Sequence, residues 1–226
     1  EQVRYLGLEA GISAYKPHPV DEVFKNKYGD CKDKSLLLTT ILRKKGIEAS
    51  LVLVNTYKKK QLAFNIPSAK YFNHVIVRAK VDGSYYYLDP TISYQRGALK
   101  ENTYLKYGLG LVINNNTKEL TKIEYVPTGW TTINEEINLS YDSISSITSS
   151  TTYTSSDADD MRSSLSYSSI KDIEDSYEKY YADLYNGAEK TKDIEILDDT
   201  VNNIITVNEA YDLTDIWTDD GDMSSM

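Results

Sequence analysis

At 226 residues the chain has room for one large domain or two small ones. Its 34 acidic against 25 basic side chains give a net charge of −9, which speaks against a nucleic-acid binder, and the acidic excess lies late in the chain. One cysteine excludes an internal disulfide and leaves the redox compartment open, and no apolar run approaches the roughly 18 residues that span a bilayer. The chain opens on Glu1 without a leader pattern and reads as a segment of a longer protein.

An amphipathic start (Val3, Tyr5, Leu6, Leu8) leads into a turn-rich stretch with Gly11, Pro17 and Pro19. His18 sits between the two prolines, which predict a loop, and is expected to be structural or solvated. Val20, Val23, Phe24 and Tyr28 have helical spacing, so a short helix is expected over 20–27. The strongest signal follows. Gly29 permits a sharp turn, Asp30 is a good N-cap, and Asp33 stands where a capping box places its second carboxylate. Leu36, Leu37, Leu38, Ile41 and Leu42 form an apolar stripe. Arg43, Lys44 and Lys45 complement the helix dipole at the far end, and Gly46 stops the helix as C′. Cys31 is therefore the first residue of a helix of about four turns. Unpaired N–H groups and the positive dipole end favour a thiolate there. Asp30 and Asp33 oppose it, Lys32 and Lys34 support it, and sequence leaves open which pair lies nearer the sulfur. A small buried residue that happens to be cysteine is the plain alternative.

Residues 47–56 read as a buried strand, and 57–70 as a polar loop. Its Lys58, Lys59 and Lys60 form a solvated face or one wall of a cleft. A strand over 71–81, the two-residue turn Asp82-Gly83 and a returning strand over 84–89 predict a hairpin. With that loop length Val81 faces Ser84, and counting back puts His74, Ile76 and Asp89 on one face, with His74 and Asp89 as diagonal neighbours. Val75, Val77, Ala79, Val81, Tyr86 and Leu88 make the expected core stripe on the other face. A nucleophilic cysteine needs a base, and the base needs an orienting partner. Cys31, His74 and Asp89 supply that set, and the Cys31 N–H is a candidate oxyanion donor. There is no Gly-rich phosphate loop, and two histidines with one cysteine make a poor zinc set, so no cofactor and no metal are expected.

The Gly-Asp-Cys helix start, a histidine opening a strand and Leu-Asp-Pro-Thr closing the next resemble the bacterial transglutaminase-like superfamily, a papain-like α+β fold. The segments Arg4–Glu9, Pro17-His18-Pro19, Tyr28–Lys34, Phe72-Asn73-His74 and Leu88–Thr91 are similar, more narrowly, to envelope proteins in which this domain follows a β-rich domain of unknown function. The resemblance covers roughly residues 1–125. It implies that Cys31, His74 and Asp89 are the catalytic residues, and it makes Tyr5 a candidate oxyanion helper. It also implies a protein or peptide substrate, an exported, periplasmic or cell-envelope setting, and an upstream β-rich domain that this chain lacks. Animal members of the superfamily use calcium, but no acidic loop in the first domain asks for it. The reaction implied is acyl transfer from a peptide or glutamine-type amide through a Cys31 thioester. Hydrolysis is favoured over transglutamination because water is always at hand. The competing reading is a non-catalytic scaffold that keeps the fold and binds an extended peptide or an envelope partner.

From Thr128 the composition changes, and 1–127 and 128–226 are expected to be separate modules. Alternating strands are predicted over 131–139 and 144–153, the latter through a Ser/Thr run, with a short helix opening at the acidic Asp157–Asp160. Ile170, Ile173, Tyr177, Tyr180, Tyr181 and Leu184 mark an amphipathic helix that Gly187 ends. Strands near 189–197 and 203–210 complete a smaller α+β module without a catalytic constellation. Asp219–Asp222 are carboxylate-rich but read as a tail.

Overall fold

The computed structural model describes residues 3–7, 11–99, 106–125, 128–185, 187–214 and 216, together with the backbone of 218–219 and 224–225. The chain folds into two compact units, 1–93 with 104–127, and 94–103 with 128–226.

The first unit is α+β. Strands β1 (Arg4–Tyr5) and β2 (Tyr28–Gly29) pair in parallel, flanking helix α1 (Val20–Asn26). Helix α2 (Cys31–Lys44) follows directly. Strands β3 (Ala49–Val54), β4 (His74–Val81), β5 (Ser84–Leu88), β6 (Leu109–Val112) and β7 (Thr121–Lys122) form an antiparallel sheet in the order β5-β4-β3-β6-β7. The β4–β5 hairpin has the expected register, Val81 facing Ser84 and Val77 facing Leu88, with Asp82 and Gly83 both at positive φ in the turn. Helix α2 packs against β4 and β3, pinned by a 2.9 Å hydrogen bond from Ser35 Oγ to the Val75 carbonyl. It ends as expected: Gly46 has φ +79°, and Gly46 N and Ile47 N donate to the carbonyls of Arg43 and Leu42, a Schellman motif.

Burial differs from the sequence pattern in three places. The expected core stripe holds buried Val77 and Ala79 but only half-buried Val75, Val81, Tyr86 and Leu88. The tightest cluster is on the His74 face instead, where Ile76 meets Val52, Val54, Val112 and Ile123. Both faces of the central strands are therefore covered, which period-two reasoning on one hairpin cannot show. In α1 only Val23 is buried, while Phe24 is exposed, as are Tyr28 of β2 and Ile41 of α2. The 57–70 loop carries 3₁₀ turns at Lys59–Phe64 and Ala69–Tyr71.

In the second unit β8 (Thr131–Asn138), β9 (Ser145–Thr154), β10 (Glu189–Lys190), β11 (Glu195–Asp199) and β12 (Ile204–Leu213) form a sheet ordered β10-β12-β9-β8, with β11 also on β12. The Ser/Thr run is strand β9, as its alternation predicts. Helices α3 (Ser155–Tyr167) and α4 (Ile170–Tyr185) cover the face on which β12 presents Ile205, Val207, Tyr211 and Leu213. Of the predicted α4 stripe Tyr181 is buried and Tyr177 half-buried, whereas Ile170, Tyr180 and Leu184 are exposed. The expected strand over 189–197 is broken into β10 and β11. Residues Asp220–Asp222 of the expected tail lie outside the described residues, as do Leu8 and Glu9. The backbone around Asp219 pairs with Ser224–Ser225.

Candidate active site

The cysteine end of the site is built by one capping box. Asp30 accepts from the backbone N–H of Lys32 (3.0 Å) and Asp33 (3.2 Å), and Asp33 accepts from Asp30 N–H (3.2 Å). Each carboxylate has a further partner. Lys32 Nζ pairs with Asp30 Oδ2. His18 donates its backbone N–H to Asp33 Oδ1 (2.7 Å) and sets its Nδ1 3.0 Å from Oδ2. The histidine between the prolines is thus structural, bound to the cap. Lys34 Nζ reaches the Val3 carbonyl (2.7 Å). Residues Cys31 to Ser35 are all buried, and Cys31 itself is 6% exposed. The cap takes the N–H groups of Lys32 and Asp33 and not that of Cys31.

Gly29 is needed for space and not for a turn. It lies in β2, outside the positive-φ residues, and a Cβ there would stand 2.7 Å from Asp33 Cβ and 3.2 Å from Val23 Cγ1. Gly29→Ala should therefore push Asp33 off the cap. We expect a loss of about 1–3 kcal/mol in urea denaturation, with slower Cys31 alkylation.

The other two residues come from the hairpin. His74 opens β4, and Asp89 follows the last residue of β5. His74 Nε2 lies 2.6 Å from Asp89 Oδ2, and Cys31 is near enough to act electrostatically on the ring. The sequence-predicted set Cys31, His74 and Asp89 is brought together. Asp89 is fully engaged: Oδ1 accepts from Thr91 N–H (2.9 Å) and Thr91 Oγ1 (2.6 Å), and Oδ2 also accepts from the Tyr107 hydroxyl (2.9 Å). Tyr107 also tilts its ring over His74, centroids 5.7 Å apart. Sequence reasoning missed Tyr107, because it enters from the start of β6 and no local pattern links it to the hairpin. Tyr5 lies on β1 opposite Gly29, half exposed, with its hydroxyl folded over Gly7. Among the described residues no group of His, Cys, Asp or Glu is arranged to hold a metal ion, and no helix is long and apolar enough to cross a membrane.

The electrostatics favour an ion pair. Burial opposes charge on His74, but its hydrogen bonds and charge interactions with Asp89 and Cys31 outweigh burial and raise its pKa from 6.5 to about 9. Burial likewise pushes Asp89 up, yet His74 and Thr91 win and hold it below its ordinary 3.8. Burial, then the neighbouring Asp89 carboxylate, raises the Tyr107 hydroxyl well above 10, so it stays a donor.

A raised histidine pKa stabilises the fold fully below pH 6.5, and that contribution is lost as pH rises through about 9. The lowered Asp89 contributes above its unfolded value and loses its effect as pH falls below it. The pair should add most between about pH 4 and 6.5, on the order of 3 kcal/mol. Thermal melts from pH 6 to 10 should show a decline in the wild type that His74→Ala lacks. Equal slopes in both proteins would contradict the raised pKa.

Residues 1–90 match the family model of the transglutaminase-like superfamily. Comparison with curated proteins and with solved structures gives no significant match. The matched stretch contains Cys31, His74 and Asp89 with α2, β4 and β5, on or next to which they lie, and the match points to a cysteine-dependent enzyme in general. Residues 1–90 of this chain are therefore similar to the transglutaminase-like superfamily.

Proposed function

We propose that the first unit is a cysteine-dependent acyl-transfer enzyme acting on peptide or glutamine-type amides. The observation that carries this reading is His74, bonded to Asp89 and close enough to Cys31, at a helix N-terminus, to interact with it electrostatically. His74 takes the Cys31 proton as the sulfur becomes a nucleophile. The sulfur attacks the amide carbon, forming a C–S bond, and the oxygen takes the charge within reach of the Cys31 N–H. His74 then protonates the leaving nitrogen, the C–N bond breaks, and ammonia or an amine departs from a thioester. Water, deprotonated by His74, attacks the thioester and releases acid and thiol. A primary amine in place of water gives a new amide. Hydrolysis is the favoured outcome, because an amine acceptor must be bound and water excluded. The resemblance to envelope proteins carries the setting, a protein or peptide substrate outside the cytoplasm.

One observation favours a second reading. Cys31 is only 6% exposed, as it would be in a scaffold that keeps the fold without turnover. Mass spectrometry after incubation with glutamine-containing peptides separates the two. An acyl adduct on Cys31, absent in Cys31→Ser, supports the enzyme. Adding a primary amine then reports hydrolysis or amide formation from the product mass. No adduct, together with alkylation of Cys31 that ignores His74, would leave the scaffold.

A further inference from the structure

The chain is acidic as a whole, yet its charge is sharply divided. Residues 1–127 carry 20 basic and 12 acidic side chains, and residues 128–226 carry 5 and 22. Within the first unit the basic charge collects at one place. A cavity of about 710 Å³ is rimmed by Lys58, Lys59, Lys60, Lys106 and Lys122, a size within the roughly 300–1,000 Å³ of ligand pockets. Its single carboxylate, Glu124, is already taken by Lys122 at 2.7 Å. Lys58 Nζ is spent on Asn65 Oδ1 (3.1 Å). Lys59, Lys60 and Lys106 have no carboxylate partner among the described residues, and Lys106 lies over the ring of Tyr125. Clustered like charges repel one another unless a counter-charge joins them.

No catalytic residue lines this cavity, but its walls are built from segments that adjoin the catalytic set. The lysine segment leaves the end of β3, whose last residue Val54 faces His74. Asn73, the residue before His74, bonds both ways with Thr56: Thr56 N–H to Asn73 Oδ1 (3.0 Å) and Asn73 Nδ2 to Thr56 Oγ1 (2.9 Å). On the other side the segment rests on Gly108, where a Cβ would stand 2.7 Å from Lys60 Cγ and 3.0 Å from Lys60 N. Gly108 is next to Tyr107, the donor to Asp89. Lysine recognises charge without imposing the planar fork that arginine brings to phosphate, and the pocket rim contains no arginine.

We propose that this lysine-rimmed cavity is the substrate-recognition subsite of the same active site, and that it selects peptide chains carrying Asp or Glu side chains near the reacting amide. The proposal rests on the acyl-transfer reading for its link to Cys31, but the binding it predicts can be measured without turnover. The protein is the full chain with Cys31→Ala. The probes are fluorescein-labelled peptides of one length in which glutamates, serines or lysines flank a single glutamine. Fluorescence anisotropy should show the glutamate probe binding about tenfold tighter than the serine probe at low salt, the gap closing as ionic strength rises. The added changes Lys59→Glu, Lys60→Glu and Lys106→Glu should reverse the order in favour of the lysine probe, with an unchanged circular dichroism melt as the fold control. Equal binding of the three probes would overturn the proposal. So would a reversal variant that still prefers glutamate, or an oligothymidylate that binds better than the acidic peptide. Cys31 alkylation in wild type and His74→Ala is scored separately, so failure of the acyl-transfer reading is distinguishable from failure of the subsite.

Discussion

Replacing His74 by alanine should slow iodoacetamide alkylation of Cys31 at pH 6 by on the order of 10- to 100-fold, and any amide turnover by roughly 10²–10⁴. The reagent is small and neutral, so its rate reports the thiolate population and access to the sulfur. A free thiol with a pKa near 8.5 is almost wholly protonated at pH 6. In this protein the His74 imidazolium persists to about pH 9, and a cation beside a cysteine favours its nucleophilic form. Alanine removes that cation and leaves Asp89 bonded only by Thr91 and Tyr107. The wild-type rate should stay high through neutral pH, and the variant should follow an ordinary thiol. A slow, thiol-like profile already present in the wild type and untouched by His74→Ala would defeat the acyl-transfer reading.

In the second unit the largest single loss of stability is expected from Arg162→Ala, about 3–5 kcal/mol. Arg162 is buried in α3 and makes a fork to Asp198, with Nε 2.9 and 3.1 Å from its two oxygens and Nη2 2.7 Å from Oδ1. Its Nη1 lies 3.1 Å from Asp159 Oδ1 and also bonds Asn203 Oδ1. Asn203 is fully buried and ties back to the start of α3 through Ser155, Nδ2 donating to its carbonyl at 3.1 Å and the Asn203 backbone oxygen accepting its N–H at 2.9 Å. Burial raises the Asp159 pKa, and its Oδ2 has no partner. Removing the guanidinium leaves the buried Asp159 carboxylate with only the Arg96 N–H at 3.2 Å and deprives the Asn203 amide oxygen of its donor. Chemical denaturation followed by circular dichroism should show the drop. Lys179→Ala, which breaks only the exposed Lys179–Asp183 pair, should leave the midpoint where it was. A midpoint equally unmoved by Arg162→Ala would mean that the network adds no net stability.

What the sequence made legible was local or counted by short rules. The cap at Asp30, the start of α2 at Cys31 and the Schellman end at Gly46 follow from side chains within a few residues of one another. The meeting of His74 and Asp89 follows from turn length and the period of a strand. The interactions that were not legible all join distant segments. Tyr107 reaches Asp89 from the turn before β6, His18 reaches Asp33 across α1, and Arg162 gathers Asp198 and Asn203 from the far end of the chain. Helical stripes were a poor guide to burial for the same reason. Ile41, Ile170 and Leu184 have the spacing of core residues, but burial depends on what covers them, and spacing along one helix does not encode its neighbours.

The Asp89 carboxylate has a practical corollary for anyone transplanting this constellation. Its four donors come from two Thr91 groups, the His74 ring and Tyr107, so the carboxylate has no spare rotation. The imidazole must swing about a fixed Nε2 contact, and the arc it sweeps toward the sulfur is set by the Asp-Pro-Thr turn. Copying three side chains onto another scaffold would leave that pivot loose. The smallest portable unit is the trio together with Thr91 and Tyr107.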